Sequence, residues 1–422
     1  MWLMTAKAIS MFGSRMTFVA LPWLVLVTTG SATRTGVVAF AEMLPYVIAT
    51  AAGGPLIDRL GARRMSVVSD VASAIVVAGV AVLAQAEGMH FGLLVALVAI
   101  AGLVRGLGDT AKQVLFPAAV RAAGVDMTRA TAIMDGINRA SILIGAPLAG
   151  VLVAVTDSPT VLLLDAVSFL VCAAIVAAAV HLAATASPED RDESSYLQQL
   201  RGGLSFVRQD KLLLGIMAML FVTNLIDQAN GSVLIPVWSK DIYGSPLGIG
   251  LVSAAFAAGA VTGNLAYLWL APRLPRFAPF AVGFLIGGAP RLVAMALDTP
   301  LWTILAISAS AGVAISVVNP ILMAVMVERV PQHLQARVYG LSTALAWAGI
   351  PIGSVLGGWL ADQVGVQAAL LSCAAVYFVA TLLPFMSKVW RQMDRAPETA
   401  TPERVPAARR PDVSSPAVEA EA

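Results

Sequence analysis

Apolar residues fill this chain in long blocks, without the strict alternation of a half-buried strand or the one-sided stripe of a surface helix. The stretches Met16 to Thr33, Ala166 to Pro188, Ile242 to Pro272, Thr299 to Val327, Tyr339 to Ala361 and Gln363 to Ser387 contain no Asp, Glu, Lys or Arg. A helix crosses the hydrocarbon core of a bilayer in about 20 residues. That ruler predicts twelve helices, beginning near Met4, Thr35, Met65, Phe91, Ala130, Thr160, Leu212, Leu247, Ala278, Leu301, Val338 and Gln367. The fifth and sixth are the least clean, because Asp157 and Asp165 crowd their junction.

Lys and Arg stay preferentially on the cytoplasmic side of a membrane, so their placement tests the twelve-helix reading independently. With the N-terminus inside, Lys7, the 2–3 loop (Arg59, Arg63, Arg64), the 4–5 loop (Lys112, Arg121, Arg129), the central loop, the 8–9 loop (Arg273, Arg276), the 10–11 loop (Arg329, Arg337) and the tail all face the cytoplasm. Together they hold most of the 27 basic residues. Arg34 and Lys240 fall outside, and Arg15, Arg105, Arg139 and Arg291 stay within spans. An odd number of helices would destroy this asymmetry. No basic and apolar leader ending in small residues precedes the first span. The expectation is a multi-pass protein of the plasma membrane with both termini cytoplasmic, acting as a monomer in the lipid bilayer.

Composition agrees with the pattern. The 422 residues are 58% hydrophobic and 12% charged, with a mean hydropathy of +0.82, well beyond soluble-domain usage. A net charge of +2, spread between apolar runs, gives no basic stripe for nucleic acid. Cys172 and Cys373 each sit in an apolar segment and are read as packing residues, with no metal site or cofactor implied.

The chain also repeats. Pro117 and Pro320, Pro147 and Pro351, and Asp157 and Asp362 recur at nearly constant spacing. The expected fold is an all-α membrane protein of twelve transmembrane helices in two six-helix, pseudo-symmetric halves, residues 1–182 and 212–387. Between them, residues 183–211 open with SPEDRDESS and continue as YLQQLRGGLSFVRQDK, whose Leu197, Leu200, Leu204 and Val207 recur at helical spacing. This second part predicts an amphipathic helix on the inner membrane surface. Residues 388–422 are expected to form a disordered cytoplasmic tail. Duplicated halves of this kind are a transporter plan with the substrate at the midplane between them.

One short stretch, GGPLIDRLGARR at residues 53–64, concentrates charge between apolar blocks. Gly54, Asp58, Arg59, Gly61, Arg63 and Arg64 resemble the 2–3 loop signature of the major facilitator superfamily, with Ala62 where the family has the first Arg of its basic cluster. Pro351 to Asp362 looks like the eleventh helix of that family's drug-exporter branch. The matching cluster of the second half keeps Arg273 and Arg276 without Asp or Gly. The resemblance implies the major facilitator fold, transport by alternating access and no enzymatic activity. It also implies that Asp58 faces the positive end of the eleventh helix, and Arg63 or Arg64 is then expected to pair with Asp109. Such contacts would lock the two halves at the cytoplasmic face. The arginines equally satisfy the positive-inside rule without a gating role. On the fifth helix Gly145, Pro147 and Gly150 resemble the Gly-Pro motif of antiporters, although Ala146 separates the glycine from the proline and Val151 replaces a glycine.

Ionisable residues inside spans are costly and are functional candidates by default. Asp227, with Asn224 and Asn230 at i−3 and i+3, leans to one side of the seventh helix and suits a polar cavity wall. Asp227 and Glu42 are the candidate proton carriers. Arg15 and Arg139 are candidates to hold an anionic substrate or to neutralise Asp135. No lysine follows a glycine, so a phosphate-binding Gly-Lys loop is absent and a proton is the expected coupling ion. The three histidines are unpaired at ligand spacing, and no nucleophile-elbow or His-Glu-x-x-His motif occurs, which disfavours a membrane-embedded enzyme. These features point to proton-coupled efflux of small amphipathic compounds such as drugs. Import or export of a specific metabolite such as a sugar or siderophore is the runner-up.

Overall fold

The computed structural model describes residues 2–86, 90–179 and 205–394. Among them twelve helices are long and apolar enough to cross a membrane. They are α1 (Trp2–Thr29), α2 (Ala32–Ala52), α3 (Ala62–Gln85), α4 (Phe91–Ala122), α5 (Met127–Val155), α6 (Ser158–Ala179), α7 (Lys211–Tyr243), α8 (Leu247–Leu270), α9 (Phe277–Ala296), α10 (Leu301–Arg329), α11 (Gln332–Val364) and α12 (Val366–Met386). Each begins within a few residues of the position that the apolar pattern gives, except the longer α11.

Local chemistry sets several ends. Asp210 caps α7 by accepting from Leu212 N at 2.9 Å and Leu213 N at 3.1 Å, and Asp126 caps α5 through Arg129 N at 2.9 Å. Gly365, at φ +81°, turns the chain from α11 into α12 in a region that disfavours other residues.

The two halves use the same packing plan. In the first, α1 packs on α5 and α6, α3 on α4 and α6, and α2 on α4. In the second, α7 packs on α11 and α12, α9 on α10 and α12, and α8 on α10. Adding six to each helix number of the first set gives the second set. Between halves, α2 lies on α11 and α5 on α8, and these pairs are related by the same exchange. The repeat seen in the prolines is therefore a repeat of tertiary contacts.

Three expectations differ in detail. The tail does not start as disordered chain at residue 388: Lys388–Asp394 forms a 3-10 helix with Trp390 and Met393 buried. Trp390 packs on Phe280 of α9, ring centroids 6.1 Å apart. Asp394 accepts from Arg276 N at 2.6 Å and Phe277 N at 2.8 Å, capping α9. Apolar burial and a cap hold these residues where composition alone suggested none. Lys112 is not in a cytoplasmic loop but buried within α4, because Asp70 on α3 neutralises it there. Of the proposed amphipathic helix, Leu197, Leu200 and Leu204 lie outside the described residues. Val207 is buried with Leu213, Met217 and Val338, against the second half.

Candidate functional site

The halves meet along two seams at one end of the molecule. On the first, a side chain at Gly36 of α2 would strike Ser354 O of α11, and one at Gly358 of α11 would strike Ala32 O of α2. Asp362, at the end of α11, accepts from Ser31 Oγ at 2.8 Å, Ala32 N at 2.9 Å and Thr33 N at 2.8 Å. A carboxylate thus sits on the unpaired amides at the N-terminus of α2, across the halves. The second seam uses the proline motif of α5. A Cβ on Gly150 would lie 3.1 Å from Pro246 O, and one on Gly250 of α8 would lie 2.8 Å from Pro147 Cα. Gly145 faces inward to the first half, against the Arg15 side chain. The antiporter-like residues therefore build an inter-half contact as well as an intra-half one.

Away from that end the interior becomes polar and aromatic. Tyr46 of α2 stacks on Trp347 of α11 across the halves, centroids 6.4 Å apart. Arg105 of α4 lies 5.0 Å from the Tyr46 ring centroid and donates to Glu42 at 2.7 Å. Asp109 accepts from the Tyr46 hydroxyl at 3.2 Å. Arg15 of α1 reaches Asn138 of α5 at 3.4 Å, while Arg139 pairs with its own neighbour Asp135 at 2.7 Å. In the second half Arg291 of α9 pairs with Asp227 of α7 and lies 5.2 Å from the Phe256 ring centroid.

The backbone around Asp227 is irregular. Residues Asn230–Leu234 form a π-turn. Pro236 follows it and has no N–H to donate to the preceding turn, which favours the wider winding there. Asn230 is buried with its Oδ1 unpaired, and Asn224 is half-buried. Opposite Asp227, α9 breaks between Gly287 and Ala289, where Gly288 leaves room for the ring of Tyr377. That break aims Arg291 at α7.

The 2–3 connection is a short helix, Gly54–Leu60, rather than an open loop. Gly61 ends it at φ +85°, where only glycine sits without strain. Gly54 has open space around its Cα; the close approach there belongs to Gly53, which faces Ala49 O and Leu107. Arg63 donates to Ala177 O of α6 at 2.5 Å. In this conformation Asp109 is therefore engaged by Tyr46, and Arg63 by α6, instead of by each other. Arg59 and Arg64 are exposed.

Several polar groups lie in the core of the first half, away from the inter-half face. Lys112 and Asp70 form a pair at 2.6 Å with side chains 1% and 3% exposed. Ser66 and Ser73, on the same face of α3, keep unpaired hydroxyls, as does the second carboxylate oxygen of Asp70. Asp165 of α6 accepts from Thr17 of α1 at 2.5 Å and from Ser168 at 3.0 Å. The sequence marked Asp165 as crowding a helix junction and Arg291 as intramembrane, and passed over Asp70. Each was detectable as a charge inside an apolar block, but its partner lies on another helix and sequence spacing does not show it.

The Major Facilitator Superfamily profile matches residues 3–246 and again 220–418. The chain belongs to the major facilitator superfamily. As such a facilitator it is a transporter and a multi-pass membrane protein. It is 30% identical over 390 residues to the multidrug efflux pump Tap of Mycobacterium tuberculosis, covering 92% of each chain. It is 21% identical over 397 residues to macrolide efflux protein A of Streptococcus pyogenes, covering 92% of this chain and 95% of the other. The crystal structure of the nucleoside transporter NupG superposes with a TM-score of 0.75 at 14% identity, covering 91% of this facilitator and 98% of that chain. This last likeness is one of fold.

Proposed function

We propose that this facilitator is a proton-coupled exporter of small amphipathic compounds, drugs among them, working by alternating access. The observation that carries this is the pair of symmetry-related seams, α2 on α11 and α5 on α8. They close one end through glycine and backbone while the cytoplasmic ends of α5 and α11 hold Gly136 and Gly340 with open space around them. Basic residues gathered at that second end support a cytoplasmic location for it by the positive-inside rule, and on this reading the conformation is inward-facing. Relatives named as efflux pumps over nearly the whole chain support export, and the aromatic pair Tyr46 and Trp347 suits apolar, planar cargo.

Within this cycle the 2–3 segment closes the cytoplasmic side when the halves rock, Asp58 meeting the N-terminus of α11. Asp227 and Glu42 are each neutralised by an arginine in the inward-facing state; each takes a proton once its arginine departs. Asp227→Asn is then expected to keep downhill exchange of a dye but to lose gradient-driven efflux, whereas normal pumping by both Asp227→Asn and Glu42→Gln would remove these carboxyls from the mechanism. The function as a whole is tested by dye and antibiotic retention in cells with and without the protein. Substrate-dependent proton flux in proteoliposomes tests the coupling. Unchanged retention together with flux evoked by a sugar or siderophore would favour a metabolite transporter.

A further inference from the structure

Asp165 differs from the other carboxylates buried in the spans. Glu42 has Arg105, Asp70 has Lys112 and Asp227 has Arg291, whereas the groups that hold Asp165 are the hydroxyls of Thr17 and Ser168. The residue is 1% exposed. A carboxylate in that setting with no cation bonded to it is costly, Arg105 across the neighbouring cavity being bonded to Glu42 instead, and taking up a proton removes the cost. The packing is specific: Gly13 of α1 leaves the space that Asp165 and Ser168 fill, and a side chain there would collide with both.

Beside Asp165 is a cavity lined by Thr17, Glu42, Ser73, Arg105 and Asp165 among apolar neighbours. Its volume of about 20 Å³ is enough for one water. The cavity brings Asp165 and the Glu42–Arg105 pair to the wall of one small space, otherwise lined mainly by apolar side chains. The charged groups on the surrounding helices are otherwise engaged. On α1, Arg15 reaches Asn138, and Lys7 lies more than two turns below Thr17. On α3, Asp70 has Lys112 of α4, and on α4 Asp109 has Tyr46. On α5, Asp135 and Arg139 pair with each other, and Arg129 is exposed at the far end.

We propose that Asp165 is the proton-bearing carboxyl of the inward-facing state, and that its proton passes to Glu42 while Arg105 moves from Glu42 to Asp165. The exchange balances. The O–H bond on Asp165 breaks, one water in the cavity relays the proton, and a new O–H bond forms on Glu42. The carboxylate left on Asp165 then attracts the guanidinium that neutral Glu42 no longer holds. Because Arg105 also lies over Tyr46, and Tyr46 stacks on Trp347, this swap alters the aromatic contact between the halves. The inference rests on the proton-coupled reading and supplies its missing internal site.

The test uses full-length protein in proteoliposomes with two independent readouts. Infrared difference spectra between acidic and alkaline buffer report protonated carboxyls without any substrate, and ethidium efflux under an imposed pH gradient reports pumping. Expected is a carboxylic C=O band that titrates in wild type, is lost in Asp165→Asn and returns in Asp165→Glu. Gradient-driven ethidium efflux should fall at least about tenfold in Asp165→Asn, with a flattened pH profile and downhill exchange retained. If Asp165→Asn does not fold, Thr17→Val serves instead and is expected to shift the pH at which the band titrates. An unchanged band in Asp165→Asn, or wild-type pH dependence of its efflux, overturns the proposal. A titrating Asp165 band in a protein that moves no ethidium and no protons would uphold the site and refute the exporter reading.

Discussion

At the scale of single residues, the molecule treats its charges in two ways. Lys112 and Asp70 are sealed in the first half and touch no seam, so their role is structural. Breaking such a pair leaves an uncompensated charge in an apolar surround, typically a loss of about 3–5 kcal/mol. Lys112→Met is expected to lower the unfolding midpoint of the purified protein sharply, while Lys112→Met combined with Asp70→Leu recovers most of it. A scan of thermal unfolding in detergent on the three proteins checks this; equal midpoints for the single and double variants would contradict it. In the gating role proposed for it, Asp58 belongs to the other class, charges that serve one conformation. Asp58→Asn is expected to leave expression intact and cut efflux by about tenfold, the equivalent of roughly 1.4 kcal/mol in a barrier. A well-expressed Asp58→Asn protein that pumps normally would remove the 2–3 segment from gating.

Whole helices were more legible than their contacts. The twelve blocks and their ends followed from length and hydropathy, because a bilayer imposes one ruler on every span. What stayed hidden was pairing between helices. The pattern could not show that α9 breaks at Gly288 to aim Arg291 at Asp227, nor that Tyr46 instead of Arg63 engages Asp109. It also missed that a few tail residues, Trp390 chief among them, are anchored by burial under α9. The glycines of the seams were visible only as small residues until α2 and α11 were set side by side. They carry an element-level prediction. Gly358→Leu should prevent α2 and α11 from closing, leaving the protein folded but biased toward the outward-open state. A cysteine at Thr33 should then react with an external thiol reagent faster in Gly358→Leu than in an otherwise wild-type background; equal rates would show that the seam does not control access there.

Across the whole molecule the sequence revealed the duplication through a few prolines and aspartates, and the structure extends it to every major helix pair. Orientation is the property that export depends on most. A cysteine introduced at Ala62 is expected to be labelled only from the cytoplasm and one at Ser245 only from outside. The native Cys172 and Cys373 are buried, so background labelling should be low. Reversed labelling would invert the assignment of the two ends and turn the inward-facing state into an outward-facing one.

The close contacts of the seams set glycine hydrogens against the main-chain oxygens of Ala32, Ser354 and Pro246, and these atoms are the same whatever side chains surround them. Variation in the cargo-facing residues can therefore change what is bound without disturbing how the halves meet. A change at Gly36, Gly358, Gly150 or Gly250 would impair every cargo alike. Among variants selected for a new drug spectrum, substitutions should accumulate around Tyr46 and Trp347 and spare those four positions.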